Sequence, residues 1–292
     1  MQWNTETFLE LIRTTSSQLP EDIEKTITRA QREEEKGSAA RFALDSIVEN
    51  IKLAKENGRP LCQDTGSIHI YATLPKDADE NAFREAFCLA IGSATEKGYL
   101  RQNSVDPITG KNSGNNLGPG SPAFHVIRHA GNQTEIRLLL KGGGCENVSA
   151  QYALPDKHLD AFRDIEGARR CILDAVVKAQ GKGCAPGILG VCIGGDRTTG
   201  YEFSKEQLLR KLDEPNEDAV LRKLEEDIMR DANELGIGPM GFGGKTTLLG
   251  CLIGKLNRIP ASYYVSVTYM CWAYRRQGVR LDNDGKIAEW LY

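Results

Sequence analysis

Apolar residues recur along this chain with two periods, and the two alternate. Residues 5–19, 21–35 and 38–57 carry them at helical spacing, clearest in the third, where Leu44, Ile47, Val48, Ile51 and Ala54 line one face. Ser38 is placed to cap that helix and Gly58 to end it. At Ser67–Leu74 the period changes to two. Ile68, Ile70, Ala72 and Leu74 alternate with polar positions, as in a half-buried strand, and His69 falls on the other face as an ordinary polar strand residue. Helical spacing returns over 80–97, and 122–128 with 134–141 predict a hairpin turning at Ala130–Gln133. Further helices are predicted over 158–181, 204–212 and 216–235, and buried strands over 188–193 and 262–270. The expected fold is mixed α/β: a single domain over 1–292, with a helical N-terminal layer over 1–58, a mixed sheet, and loops at the strand ends free for chemistry.

Composition changes this picture little. In 292 residues, 40% are apolar and 26% charged, the balance of a chain that buries a core. The formal charge of −3 shows no basic tail or acidic block, which argues against nucleic acid or an anionic membrane as partner. No stretch approaches a membrane span, and the start, Met-Gln-Trp-Asn-Thr-Glu, carries no secretory signal, so the cytoplasm is the expected compartment.

Eight cysteines matter more. In a reducing compartment they are thiols for packing, metal or catalysis. Cys88, Cys171, Cys192 and Cys251 sit in apolar patterns and read as packing. Cys62, Cys184 and Cys271 lie at corners rich in Gly or Pro or at strand ends, and Cys145, after three glycines, is ambiguous. No Cys-x-x-Cys or nearby His pair accompanies them, as a structural zinc site would require. Three dispersed thiols suit one larger cofactor better, although spacing alone leaves packing open. Cys62 also has Asp64 two residues on, in Arg59-Pro-Leu-Cys-Gln-Asp-Thr-Gly66. The Gly243-Gly-Lys-Thr246 stretch invites a phosphate-loop reading, but Pro239 stands where the leading glycine belongs and a helix, not a strand, precedes it.

Pro60-Leu-Cys-Gln-Asp-Thr-Gly66, Lys141-Gly-Gly-Gly-Cys-Glu-Asn147, Cys184-Ala-Pro186 with Ile193-Gly-Gly195, Gly236–Thr247 and Cys271-Trp-Ala-Tyr-Arg-Arg276 occur in one order over nearly the whole chain. Together they resemble the class I, iron–sulfur fumarate hydratases, and more narrowly the α subunit of the two-subunit fumarase and L-tartrate dehydratase forms. The resemblance implies a [4Fe–4S] cluster held by Cys62, Cys184 and Cys271, its fourth iron facing substrate. It implies Asp64 as the carboxylate exchanging a proton with the hydroxyl, with a raised pKa for that work. Gln63 and Arg101 are implied to bind substrate, Arg101 gripping a carboxylate, with the backbone of Gly142, Gly143 and Gly144 close by.

The resemblance further implies a β subunit carrying the remaining active-site residues, hence a heteromer inactive without it, acting on a small dicarboxylate. Reversible hydration of fumarate to (S)-malate, a tricarboxylic acid cycle reaction, is the first expectation; L-tartrate dehydration and mesaconate hydration follow, and a non-catalytic iron–sulfur sensor is the reading from another class. Three departures bear on substrate, one of them Cys145, where the family commonly has a serine after the triple glycine. Ile259, beside Arg258, replaces a substrate-contacting histidine expected twelve residues before Cys271, and the loop Lys111–Gly120 is long. Arg258 is expected either to supply the missing polar contact or to mark a different substrate.

Overall fold

A computed structural model describes residues 3–292. The class is mixed α/β, as expected, but the strands form two sheets rather than one. The chain divides into two compact units: 1–21, 49–143 and 273–292 form the first, 22–48 and 144–272 the second. The three N-terminal helices form as the periodicity predicts, α1 (Thr5–Ser17), α2 (Glu21–Glu33) and α3 (Ala39–Asn57), and are distributed between the units.

In the first unit, α1 starts where the Asn4 side chain accepts from Glu6 N at 3.0 Å. Its Phe8 stacks on Phe87 of α4 (Glu80–Glu96) at 4.4 Å and meets Phe83 edge-on at 5.6 Å. These rings cover one face of a sheet ordered β2-β1-β3-β8-β9. Its strands are β1 (Ser67–Pro75), β2 (Ala123–His129), β3 (Thr134–Lys141), β8 (Arg275–Leu281) and β9 (Ile287–Trp290). The predicted hairpin is corrected here. β2 and β3 are not neighbours, because β1 lies between them, parallel to β2 and antiparallel to β3. β1 buries Ile68, Ile70, Ala72 and Leu74 and takes partners along both edges, which displaces direct β2–β3 pairing.

In the second unit, β4 (Ala150–Ala153), β7 (Tyr264–Met270), β5 (Gly187–Gly194) and β6 (Leu248–Leu256) form a sheet in that order. β5 is buried at every residue, parallel to β6 and antiparallel to β7, which accounts for its unbroken apolar run. Helices α6 (Ile165–Ala179) and α8 (Ala219–Glu234) contribute to the core against this sheet. Helix α7 (Arg197–Gln207) starts earlier than the apolar spacing suggests. The Asp196 side chain accepts from Thr198 and Thr199 N, and the Thr199 hydroxyl accepts from Asp196 N, a capping box.

The glycine-rich stretch after α8 has its donors satisfied from within the unit. Lys245 N and Thr246 N donate to the buried carboxylate of Glu34, and Thr247 N and Leu248 N to Asn233 Oδ1. A loop that cradled phosphate would aim those N–H groups outward. Here Glu34 is the anion.

Candidate active site

The Arg59–Gly66 corner is set on the first unit by α3. Gly58 takes φ 58° at the helix end and Arg59 N returns to Ala54 O. Leu61 is buried as a plug, its N–H donating to Ser16 O at 2.9 Å and its C=O accepting from Asn50 Nδ2 at 2.9 Å. With Leu61 fixed inward, Cys62 and Asp64 are half-buried and Gln63 is exposed.

Asp64 is held on three sides. Its Oδ1 accepts from Gly66 N at 3.0 Å, its Oδ2 from Gly143 N at 2.8 Å, and its main-chain oxygen from the Arg275 guanidinium. A Cβ at Gly142 would stand 3.0 Å from Oδ2, so the glycine run admits the carboxylate where a side chain would push it away. Gly66 is equally constrained: φ is 85° and a Cβ would fall 2.5 Å from the Lys141 carbonyl carbon. Gly66→Ala is therefore expected to destabilise the fold by more than about 2 kcal/mol, read from denaturant midpoints.

Arg101 is exposed, and among the described residues its guanidinium makes no ion pair or hydrogen bond. Its backbone is pinned. Arg101 N donates to Thr65 Oγ1 at 3.0 Å, and Arg101 O accepts from Asn116 Nδ2 at 2.6 Å. The guanidinium is thus presented to solvent from a fixed stem, not spent on a structural salt bridge.

The second unit carries Gly144, Cys184 and Cys271. The three-glycine stretch is not a simple turn, because Gly143–Asn147 winds into the short helix α5. Glu146 of α5 pairs with Lys205 and accepts from the Tyr201 hydroxyl, both on α7, and the Cys145 C=O accepts from Ser149 Oγ at 2.7 Å. Cys184 is exposed on a left-handed residue, φ 54°, just before β5; Cys271 is buried just after β7. Since Ile188 of β5 pairs with Met270 of β7, both cysteines lie at one end of this sheet, and Trp272 N donates to Cys184 O at 3.4 Å.

Tyr269 was not anticipated from the sequence. Its ring packs against Gly183 and Gly187, and its phenol is pushed well up by burial and then by the thiols of Cys271, Cys145 and Cys184. Burial pushes Cys171 and Cys192 up to about 12, and Cys251 and Cys88 also upward, as suits inert packing thiols.

Arg258 and Ile259 sit away from the cysteine end of this sheet. They precede β7, whose far end delivers Cys271, and seven extended residues span about 20 Å. Arg258 Nη1 donates to the carbonyls of Ile259, Pro260 and Ser262, with the guanidinium 4.9 Å from the Tyr263 ring centre. Arg258 braces its own loop, beside a cleft of about 510 Å³ floored by Ile193, Leu221 and Leu256. Within this unit its Nη1 is engaged by its own loop, a strand's length from Cys271.

Among the described residues no three His, Cys, Asp or Glu side chains are gathered tightly enough to chelate a single metal ion. Cys62, Cys184 and Cys271, none in a disulfide, have the soft donor chemistry of an iron–sulfur cluster, whose irons take one thiolate each.

The chain matches the family model for fumarate hydratase (Fumerase) over residues 5–280. It is 50% identical over 291 residues to a Geobacillus stearothermophilus protein named for class I fumarate hydratase, covering 98% of this chain and 57% of that protein. A Methanocaldococcus jannaschii protein named for the L(+)-tartrate dehydratase α subunit is 34% identical over 284 residues, 96% of this chain and 98% of its own length. The L(+)-tartrate dehydratase α subunit of Escherichia coli K12 is 27% identical over 274 residues, 92% of this chain and 88% of its own. Hydratases and dehydratases of these names are hydro-lyases, enzymes that add or remove water at a carbon–carbon bond. This chain belongs to the fumarate hydratase (Fumerase) family. It spans a little over half of the Geobacillus protein, 57%, but nearly all of the two α subunits.

Proposed function

We propose that this chain is the α subunit of a [4Fe–4S]-dependent hydro-lyase, and that its reaction is the reversible hydration of fumarate to (S)-malate in the cytoplasm. The observation that carries the reading is the placement of Asp64. Its carboxylate is fixed by the Gly66 and Gly143 N–H donors, lies close against Gly142 and stands two residues from Cys62. The near full-length matches to proteins named as α subunits support a β subunit bearing the remaining active-site groups. The same α-subunit matches favour L-tartrate dehydration as the second reading; the 50% identity favours fumarate.

In this reading Cys62, Cys184 and Cys271 hold the cluster. When bound, it supplies a Lewis-acidic iron for the oxygen gained or lost. The chain's own groups do the rest. Asp64 keeps lone pairs beyond those taken by Gly66 and Gly143 N–H, and through one of them it exchanges a proton with the hydroxyl. Gln63, exposed beside it, donates to a substrate oxygen, and the Arg101 fork grips a carboxylate. The Gly142–Gly144 backbone leaves room for a flat diacid to lie close.

The test is anaerobic reconstitution followed by iron and sulfide assay, electron paramagnetic resonance, and turnover of fumarate and L-tartrate with and without the β subunit. About four irons per chain, a signal that shifts with dicarboxylate, and turnover only in the pair are expected. Absence of iron, or full turnover by the isolated chain, overturns the proposal; a higher kcat/KM for L-tartrate moves it to the second reading.

A further inference from the structure

We propose that Asn116 and Thr65 are positioning residues for Arg101, a hydrogen-bonded frame that sets where the substrate's carboxylate is gripped. The inference rests on the carboxylate-binding role given to Arg101 above. Asn116 lies in the long polar loop after α4 and is 3% exposed, whereas its neighbours Asn112, Ser113, Gly114 and Asn115 are exposed. It adopts φ 64°, a left-handed conformation that asparagine tolerates better than most side chains.

All three hydrogen bonds from its amide end on groups around Arg101. Oδ1 accepts from Asn103 N at 2.7 Å, and Nδ2 donates to Arg101 O at 2.6 Å and to Thr95 Oγ1 at 2.8 Å. Thr65, 1% exposed and adjacent to Asp64, completes the frame from the other side. Its Oγ1 accepts from Arg101 N at 3.0 Å and from Asn103 Nδ2 at 3.1 Å. Both backbone polar groups of Arg101 are therefore held by buried side chains while its guanidinium is left for solvent or ligand.

One of those side chains is covalently next to the proposed proton carrier. Thr65 ties the distance between Asp64 and the Arg101 stem to two hydrogen bonds, and Asn116 stops the segment 101–103 from sliding along Thr65. A buried amide that holds the Arg101 carbonyl, the Asn103 N–H and the Thr95 hydroxyl together does more than close a loop, since the flanking turn closes itself: Asp106 Oδ1 already accepts from Ile108 and Thr109 N. The frame fixes a guanidinium stem against a carboxylate.

The test is a double-mutant cycle in the reconstituted enzyme with its partner subunit. Asn116→Ala is expected to raise KM for the dicarboxylate on the order of tenfold to a hundredfold with a smaller change in kcat, because the gripping group is displaced rather than removed. In an Arg101→Ala background the same substitution is expected to change KM less than about twofold, since nothing remains to misplace. Thr65→Val, which keeps the shape and loses the acceptor, is expected to behave like Asn116→Ala, and Thr65→Ser to restore KM; this pair carries the test if Asn116→Ala does not fold. Equal penalties with and without Arg101, or no change in KM from Thr65→Val, overturn the proposal. An Arg101→Ala enzyme with unchanged KM overturns instead the carboxylate-binding reading beneath it.

Discussion

Replacing Asp64 by asparagine is expected to lower kcat by about 10²–10⁴-fold, the range for loss of a positioned general acid or base. Shape and size are nearly unchanged, so the Cys62 corner and iron content stay as they are. The amide has one oxygen where the carboxylate has two. It can therefore accept from Gly66 N or from Gly143 N, but not from both, and its NH₂ faces the donor left over. One unsatisfied N–H costs about 1–3 kcal/mol, a loss that thermal denaturation detects without unfolding the protein at assay temperature. The measurement is kcat and KM for fumarate beside iron per chain. A full complement of iron with turnover gone makes Asp64 part of the chemistry. Retained turnover would mean that the carboxylate merely closes the glycine corner, as in a cluster-bearing sensor.

The cysteines are expected to separate into two groups by opposite responses. Cys62→Ala, Cys184→Ala and Cys271→Ala should each reduce iron and activity to background. For Cys184→Ala this should come with almost no change in stability of the cluster-free protein, because that side chain is exposed and anchors no core. Cys192→Ala and Cys171→Ala, both 0% exposed, should keep iron and activity and lose about 1–2 kcal/mol of stability, since each removes a buried sulfur from a packed interior. Cys145→Ala belongs with the second group if three thiolates hold the cluster. Iron retained in any of the first three variants, or lost in Cys145→Ala, would reassign the ligands.

Much of the fold was legible because period and burial coincide. β1 buries its alternating Ile68, Ile70, Ala72 and Leu74, although His69, expected as an ordinary polar strand residue on the other face, is buried as well; β5 is apolar and buried throughout. Where the chain was misread, a long-range contact outranked a local pattern. Nothing near Ala130–Gln133 reveals that β1 separates β2 from β3. Arg275, Arg276 and Gln277 are polar by type, and no local pattern marks them as the buried stretch of β8 they form, at 1%, 0% and 5% exposure. Arg275 Nη1 donates to the Asp64 carbonyl, and the Arg276 guanidinium lies over the Tyr274 and Tyr292 rings, contacts that composition does not reveal.

The site divides in the same way. Asp64, Gln63, Arg101 and the cysteines stand out by residue type and family motif. Asn116 does not: it is one of several polar residues in a polar loop, and only its burial distinguishes it. Ile259 stands out only beside the family pattern, and only the structure shows that Arg258 is engaged by the carbonyls of its own loop before β7.

The first unit is assembled from three separate stretches of chain, the last of them residues 273–292. During synthesis β3 emerges with one edge unpaired and keeps it so while more than a hundred residues follow, until β8 arrives to pair Leu140 with Arg275. The Arg275 that closes this sheet is also the one that grips the Asp64 backbone. The corner that carries the carboxylate thus reaches its final geometry only once residue 275 has been made and has paired. A ribosome stalled before residue 275 would display a nascent chain with a sticky strand edge and an unlocked Cys62–Asp64 loop. Insertion of a cluster that needs the locked corner would therefore wait for β8 to pair.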